Sequence, residues 1–253
     1  YRGDGWQLGP LSCDVPENTT MGLVGPNGAG KSTFFRALIG DVPVTGGSVS
    51  FYGKNLFSLD PLARARKVAY LEQNPAMAFN FSVREVVRMA EYAHAESRPD
   101  RVNWCLERVG MAGYAERTIH DLSGGQRRRV YLARALAQAP DVLLLDEPSS
   151  NLDVKFTWEL EGVLRDARRR FDGMTVLWAQ HDLEQASRVC DQLVLFRNGE
   201  RYAGPDRPLE VLSRRNLNEV YDIDAAVRPD PEKGGVRIVP ASRRNTDNLQ
   251  SMF

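Results

Sequence analysis

Met21-Gly22-Leu23-Val24-Gly25-Pro26-Asn27-Gly28-Ala29-Gly30-Lys31-Ser32 starts as a short run suited to a buried strand and passes into a loop with glycine at its first, fourth and sixth places. The loop fits GxxxxGK[ST], and Thr33 to Ile39 continues it as a helix closed by Gly40. Glycines let the backbone bend so that successive N–H groups point inward at one phosphate. The helix beginning at Ser32 aims its positive end at the same anion. Lys31 adds a cation for β- and γ-phosphates, and the Ser32 hydroxyl can ligate Mg²⁺. A chance match of this pattern is expected in roughly one chain in a hundred of this length. The strand before it and the helix after it are the setting the chemistry needs.

Two further apolar runs repeat the strand-then-helix order. Val142–Leu145 precedes a turn and a helix from about Val154 to Phe171; Thr175–Ala179 precedes a helix that Asp182 can cap, with Gln185 three residues on. Strands alternating with helices imply a mostly parallel sheet covered on both faces. The second run ends in Asp146-Glu147-Pro148, two carboxylates at a strand's carboxyl end, where parallel sheets bind ligands. Adjacent strand residues point to opposite faces, so the two acids should do different work. Asp146 suits Mg²⁺ through its water shell; Glu147 suits polarising a water for attack on a γ-phosphate.

The flanking segments have a different texture. Leu11–Val15 and Val49–Tyr52 read as antiparallel strands. From about Pro75 to Asp121 the chain is helical, with Ser82 and Glu85 as a capping box and a second helix from about Asp100 to Val109. A short helix capped by Asn216 and a hairpin around Lys233-Gly234-Gly235 follow later.

Bulk properties narrow the class. The 253 residues carry 33 basic and 33 acidic side chains, so no global field steers the chain to nucleic acid, and no nucleic-acid partner is expected. The runs Arg127-Arg128-Arg129 and Arg168-Arg169-Arg170 read as solvated helix faces, and His94 and His120 as surface residues. Cys13, Cys105 and Cys190 are odd in number and widely spaced, which argues against a disulfide framework or a zinc site and suits a reducing compartment. No apolar run approaches the ~18 residues of a membrane span, and no signal peptide is read. The chain opens at Tyr1, so a natural start upstream is expected.

Leu122-Ser123-Gly124-Gly125-Gln126 opens another helix, Arg127–Gln138, and makes a second anion-binding helix start. With it the whole chain resembles the ATP-binding-cassette (ABC) ATPase family, motif by motif in the family's order. Gly25–Ser32 looks like its Walker A, Gln73 like its Q-loop glutamine, and Leu122–Gln126 like its signature. Val142–Asp146 looks like Walker B, Glu147 like the catalytic glutamate, Ser149–Asp153 like the D-loop, and His181 like the switch histidine. The resemblance implies an α/β fold: a P-loop NTPase (RecA-like) core with an antiparallel β subdomain and an inserted α-helical subdomain. It implies one ABC ATPase domain over residues 1–253, with the core at 1–75 and 122–215, the helical subdomain at 76–121 and a C-terminal extension at 216–253. It assigns catalysis to Glu147, His181 and Gln73, and Mg²⁺ to Ser32, Gln73 and Asp146. ATP would be bound by Gly25, Asn27, Gly28, Ala29, Gly30, Lys31, Ser32 and Thr33, with Tyr1, or alternatively Trp6, stacked on adenine. A second copy would close over the nucleotide head to tail through Ser123, Gly125 and Gln126, with Asp153 linking the sites.

The endings around Asn218–Ile223, Pro231–Gly235 and Ile238–Pro240, with the early Leu8–Ser12, resemble motors of importers for iron–siderophores, haemin and vitamin B12. That implies transmembrane permease subunits, indirectly a substrate-binding protein, and a peripheral place on the cytoplasmic face of the cell membrane. A soluble cassette of iron–sulfur cluster assembly is the alternative. The gap from Gln73 to Ser123 is too short for the coiled coil of a repair or chromosome ATPase.

Overall fold

The computed structural model describes residues 2–3, 6–73, 75, 77–94, 96–148 and 154–241. Its centre is a six-stranded sheet. The strands are β1 (Thr20–Val24), β2 (Val68–Leu71), β3 (Val142–Asp146), β4 (Thr175–Ala179), β5 (Gln192–Arg197) and β6 (Glu200–Asp206). Their order is β6-β5-β1-β4-β3-β2, parallel except for the β5–β6 hairpin. β1 and β4 are buried at every position, as continuous apolar runs covered on both faces must be. The registers Leu23↔Ala179, Asp146↔Ala179 and Leu71↔Leu145 bring the carboxyl ends of β1, β4, β3 and β2 level. Whatever follows those four strands therefore emerges along one edge.

Helix α1 (Lys31–Ile39) follows β1 and packs against β2 and β3; Gly40, at φ 79°, ends it by turning its N–H back to the Ala37 carbonyl. Helices α2 (Pro61–Lys67), α3 (Val83–Arg88) and α4 (Pro99–Arg108) come before α5 (Gly124–Ala137). Ser82 and Glu85 form the expected capping box on α3. Caps contribute about 1 kcal/mol each, whereas burying a Val or Leu side chain contributes about 1.5–3. Val83, Val86, Val87, Val102, Leu106 and Ile119, all at or below 1% exposure, therefore hold the helical insertion far more than its caps do. They share one apolar cluster with Val130, Leu132 and Leu136 of α5 and with Leu143, Leu145, Val176 and Trp178 of the sheet. α5 is thus the beam between insertion and sheet.

Helix α6 (Val154–Arg170) follows β3, α7 (Leu183–Val189) follows β4, and Asp182 caps α7 by accepting the Gln185 N–H at 2.9 Å, as expected. The chain then forms α8 (Pro208–Val211), α9 (Arg214–Tyr221) and the hairpin β7 (Ala225–Pro229) with β8 (Val236–Pro240), which turns at Lys233–Gly235 as read from the sequence. Leu212, Leu217, Ala225 and Val236 cluster with Ala186 of α7 and Leu193 and Leu195 of β5.

Four sequence readings need correction. Leu11–Val15 forms no strand; Leu11, Cys13 and Val15 alternate inward onto the sheet cluster without a backbone ladder, so the alternation reported burial and not pairing. The antiparallel part described consists of two-residue pairings, Arg2–Gly3 with Trp6–Gln7 and Ser50–Phe51 with Lys54–Asn55. The cap of α9 is Ser213, accepting from Asn216 N, because the helix begins three residues earlier than read. His94 is half-buried and its Nε2 lies 2.8 Å from the Gln138 carbonyl, while His120 is exposed as expected. The arginine runs are not solvated faces throughout. Arg128 is 6% exposed, and Arg168 donates to Met174 O at 3.0 Å and Thr20 Oγ1 at 2.6 Å.

Candidate active site

The level strand ends define the site. β1 runs into the glycine loop, β3 into Asp146-Glu147, β4 into His181 and β2 into Gln73, two residues beyond Leu71. A cavity of about 640 Å³ at this edge is lined by Asn27, Gly28, Ala29, Gly30, Lys31, Ser32, Thr33, Gln73, Glu147 and His181. Residues that are up to 154 positions apart in sequence meet there because the sheet is parallel and its order places β4 between β1 and β3.

The loop geometry matches its glycines. Gly25 has φ 150°, and a β-carbon added there would sit 2.5 Å from the Phe196 carbonyl oxygen. Gly28 has φ 77° and an added β-carbon meets nothing within 4 Å, so that glycine serves conformation and leaves open space. Gly30, at φ 105°, precedes α1 as its N-cap without a side-chain cap, leaving the first amides of the helix for another acceptor. Lys31 donates to Gly25 O at 2.7 Å and Pro26 O at 3.2 Å. An ammonium has three protons, so the loop's own carbonyls leave one for a ligand. Burial lowers the Lys31 ammonium from its ordinary range, while the Glu147 and Asp146 carboxylates pull it back up.

The two acids separate for a different reason from strand alternation: Asp146 is the last residue of β3, and Glu147 turns off the strand. Asp146 is 2% exposed and accepts the Tyr70 hydroxyl at 3.0 Å. Burial pushes its carboxyl above the usual range, opposed by hydrogen bonding to Ser32 and Tyr70 and by the charge of Arg128. Glu147, at φ 46°, faces the cavity: its Oε2 accepts Gln73 Nε2 at 2.7 Å and lies 3.8 Å from His181 Nδ1. Its backbone N–H bonds Ala179 O at 3.0 Å, tying the turn to β4.

Ser123, Gly125 and Gln126 stand apart from this cavity. Ser123 caps α5, its Oγ accepting Gln126 N–H at 3.3 Å while Gln126 Oε1 accepts Ser123 N–H at 3.0 Å. None of the three lines the pocket that holds the phosphate loop. Tyr1, the Trp6 side chain and Ser149–Asp153 lie outside the described residues. Sequence reasoning missed Tyr70 and Arg128. Arg128 had a legible signal: it sits one and two turns before Leu132 and Leu136, a charge on the apolar stripe of α5. Tyr70 had none, since an aromatic in a strand is ordinary.

Phosphate groups and a magnesium ion fit this donor set. The glycine loop leaves room and free amides beside a cation, and Ser32 and Asp146 offer the hard oxygens that Mg²⁺ takes alongside waters and phosphates. A glycine-lysine loop between a buried strand and a helix, facing an acid pair across a parallel sheet, defines a P-loop NTPase core. The ABC transporter family profile matches residues 8–150, and the chain belongs to that family.

Similarity extends beyond the matched segment. The chain is 38% identical over 244 residues to the cobalamin import ATP-binding protein BtuD of Halobacterium salinarum, across 94% of this chain and 61% of that protein. The chain therefore spans less than two thirds of that relative. It is 38% identical over 246 residues to the hemin import ATP-binding protein HmuV of Pseudomonas entomophila, across 94% of this chain and 95% of that one. A solved dimer of an ATP-binding cassette in a post-hydrolysis state with ADP and Pi superposes with TM-score 0.70 at 25% identity, over 78% of this chain and 88% of that one.

Proposed function

We propose that this protein binds and hydrolyses ATP as the motor subunit of an importer for a metal chelate such as a corrinoid or haemin. The observation that carries the hydrolytic reading is the convergence of the phosphate loop with Glu147, Gln73 and His181 on one cavity. Loop amides and Lys31 hold the β- and γ-phosphates. Glu147 orients the attacking water and accepts its proton; the Gln73 contact at 2.7 Å fixes that carboxylate, and His181 beside it steadies the γ-phosphate. Ser32, Asp146 and Gln73 would hold Mg²⁺, which would supply charge neutralisation on the phosphates. Gln73 can serve both partners, because its Nε2 donates to Glu147 while Oε1 remains an acceptor.

No arginine among the described residues lines the cavity. The positive tip of α5 in a second copy fills that role, with Ser123, Gly125 and Gln126 closing over the first copy's nucleotide. The likeness to a dimeric cassette supports this arrangement. The importer reading rests on relatives named for cobalamin and hemin import; the iron–sulfur alternative has no support among them. A permease would dock beside Gln73 and the helical insertion, where Phe79 is 69% exposed. Among the described residues no helix is long and apolar enough to cross a membrane, so a spanning partner would supply the passage.

Replacing Glu147 by Gln tests the site. The variant should bind ATP within about threefold of wild type and lose turnover by about 100-fold or more, read by a fluorescent nucleotide titration and phosphate release. Turnover near the wild-type rate would remove Glu147 from the base role. Co-purification of a polytopic permease, and uptake of cobalamin or haemin by the reconstituted pair, tests the importer reading; a soluble scaffold as sole partner would reject it.

A further inference from the structure

Arg128 lies on the second turn of α5, one turn behind the serine-glycine tip, and is 6% exposed. Its guanidinium reaches five backbone carbonyls in two separate loops. Nη2 donates to Asp146 O at 2.6 Å and Glu147 O at 3.0 Å, and Nε to Pro148 O at 3.4 Å. Nη1 donates to Gln73 O at 2.6 Å and to Glu72 O. These loops carry the two side chains that meet at 2.7 Å in the cavity, Gln73 Nε2 and Glu147 Oε2. A buried guanidinium is tolerated only when its donors are satisfied, and here backbone carbonyls satisfy them. The planar fork has a fixed spread, so the spacing between the two loops is set by one rigid group.

Resting on the hydrolytic reading above, we infer that Arg128 is a positioning residue for catalysis, a strut through which α5 holds Gln73 against Glu147. It touches neither nucleotide nor water. It fixes the backbone from which the glutamine and the carboxylate project, and it makes their contact depend on the same helix whose tip closes over the partner's nucleotide. The phosphate-loop amides lie between β1 and α1, with Lys31 and Ser32 on α1, and none of them shares a hydrogen bond with Arg128, so phosphate binding should survive its loss.

The test is Arg128→Lys, with Arg128→Gln as a second variant. Lysine keeps the charge but has three donors and no fork, so it can serve one loop and not span both. The expected result is ATP affinity within about threefold of wild type and kcat per folded molecule reduced about tenfold or more. In a Gln73→Ala background the further loss from Arg128→Lys should shrink, because both changes act on the same contact. Unchanged kcat, affinity and kcat falling together with the folded fraction, losses that multiply independently, or an Arg128→Lys chain that fails to fold would each overturn the inference. An inactive wild-type chain would instead sink the hydrolytic reading. An active wild type beside an unimpaired Arg128→Lys sinks only the strut.

Discussion

Gly25 and Gly28 are both loop glycines with positive φ, yet the structure gives them different reasons to be glycine. At Gly25 a methyl group would strike the Phe196 carbonyl at 2.5 Å, a backbone atom that cannot swing away. At Gly28 the space is open and only backbone strain opposes a side chain. Strain of this kind costs about 1–2 kcal/mol for an ordinary residue, and a clash with backbone adds to it. Gly25→Ala should therefore lower stability by about 2–4 kcal/mol and Gly28→Ala by about 1–2, read as shifts in the urea midpoint. Equal midpoints for the two variants would show that β5 yields to the loop. Glu147 carries a related cost: its φ of 46° is unusual for a non-glycine residue, and the turn is held by the Ala179 carbonyl and by Arg128.

Carboxylates help to hold the C-terminal hairpin and α9. Asp224 is lowered by its two bonds to Arg214, Asp230 by the Lys233 and Glu232 amides and by Arg237, and Glu219 by Tyr202 and Arg215. Each folded value lies below its unfolded value, so each contribution is fully present above about pH 4 and disappears as pH falls through the folded values. Melting temperature measured against pH should thus drop on the acid side. Replacing Asp224 and Asp230 by Asn should flatten that drop below about pH 4, from a lower starting stability. A variant curve as steep as wild type there would assign the acid limb to other groups. The helical insertion shares this dependence at Glu85, lowered by the Ser82 amide and hydroxyl, and at Glu91, where burial is outweighed by bonds from the Arg98 amide and the Ser97 hydroxyl.

At the scale of the whole molecule, one chain supplies only part of the site proposed above. One chain brings the loop, Gln73, Glu147 and His181 together but leaves Ser123, Gly125 and Gln126 away from the pocket. If a second copy completes it, ATP should drive association only when hydrolysis is blocked. Glu147→Gln with ATP is expected to elute as a dimer in gel filtration, and adding Ser123→Arg should return it to a monomer while lowering the melting temperature only by the ~2–4 °C that loss of the α5 cap costs. A persistent monomer with bound ATP would contradict the sandwich. Linkage also predicts that dimerisation raises apparent ATP affinity with protein concentration.

Much of this was legible from the chain alone, and for a local reason. The phosphate loop, the acids at the end of β3 and the caps at Ser82 and Asp182 depend on residues within a few positions of one another, so their chemistry is written in short stretches of sequence. The β4-centred strand order, the Gln73–Glu147 contact and the burial of Arg128 depend on residues 18 to 156 positions apart. The alternation of Leu11, Cys13 and Val15 is equally compatible with a strand and with an irregular segment laid on a core, and only packing chose between them. An arginine on an apolar stripe is a warning in sequence; that it ties the Gln73 and Glu147 segments together was decided by where five carbonyls converge.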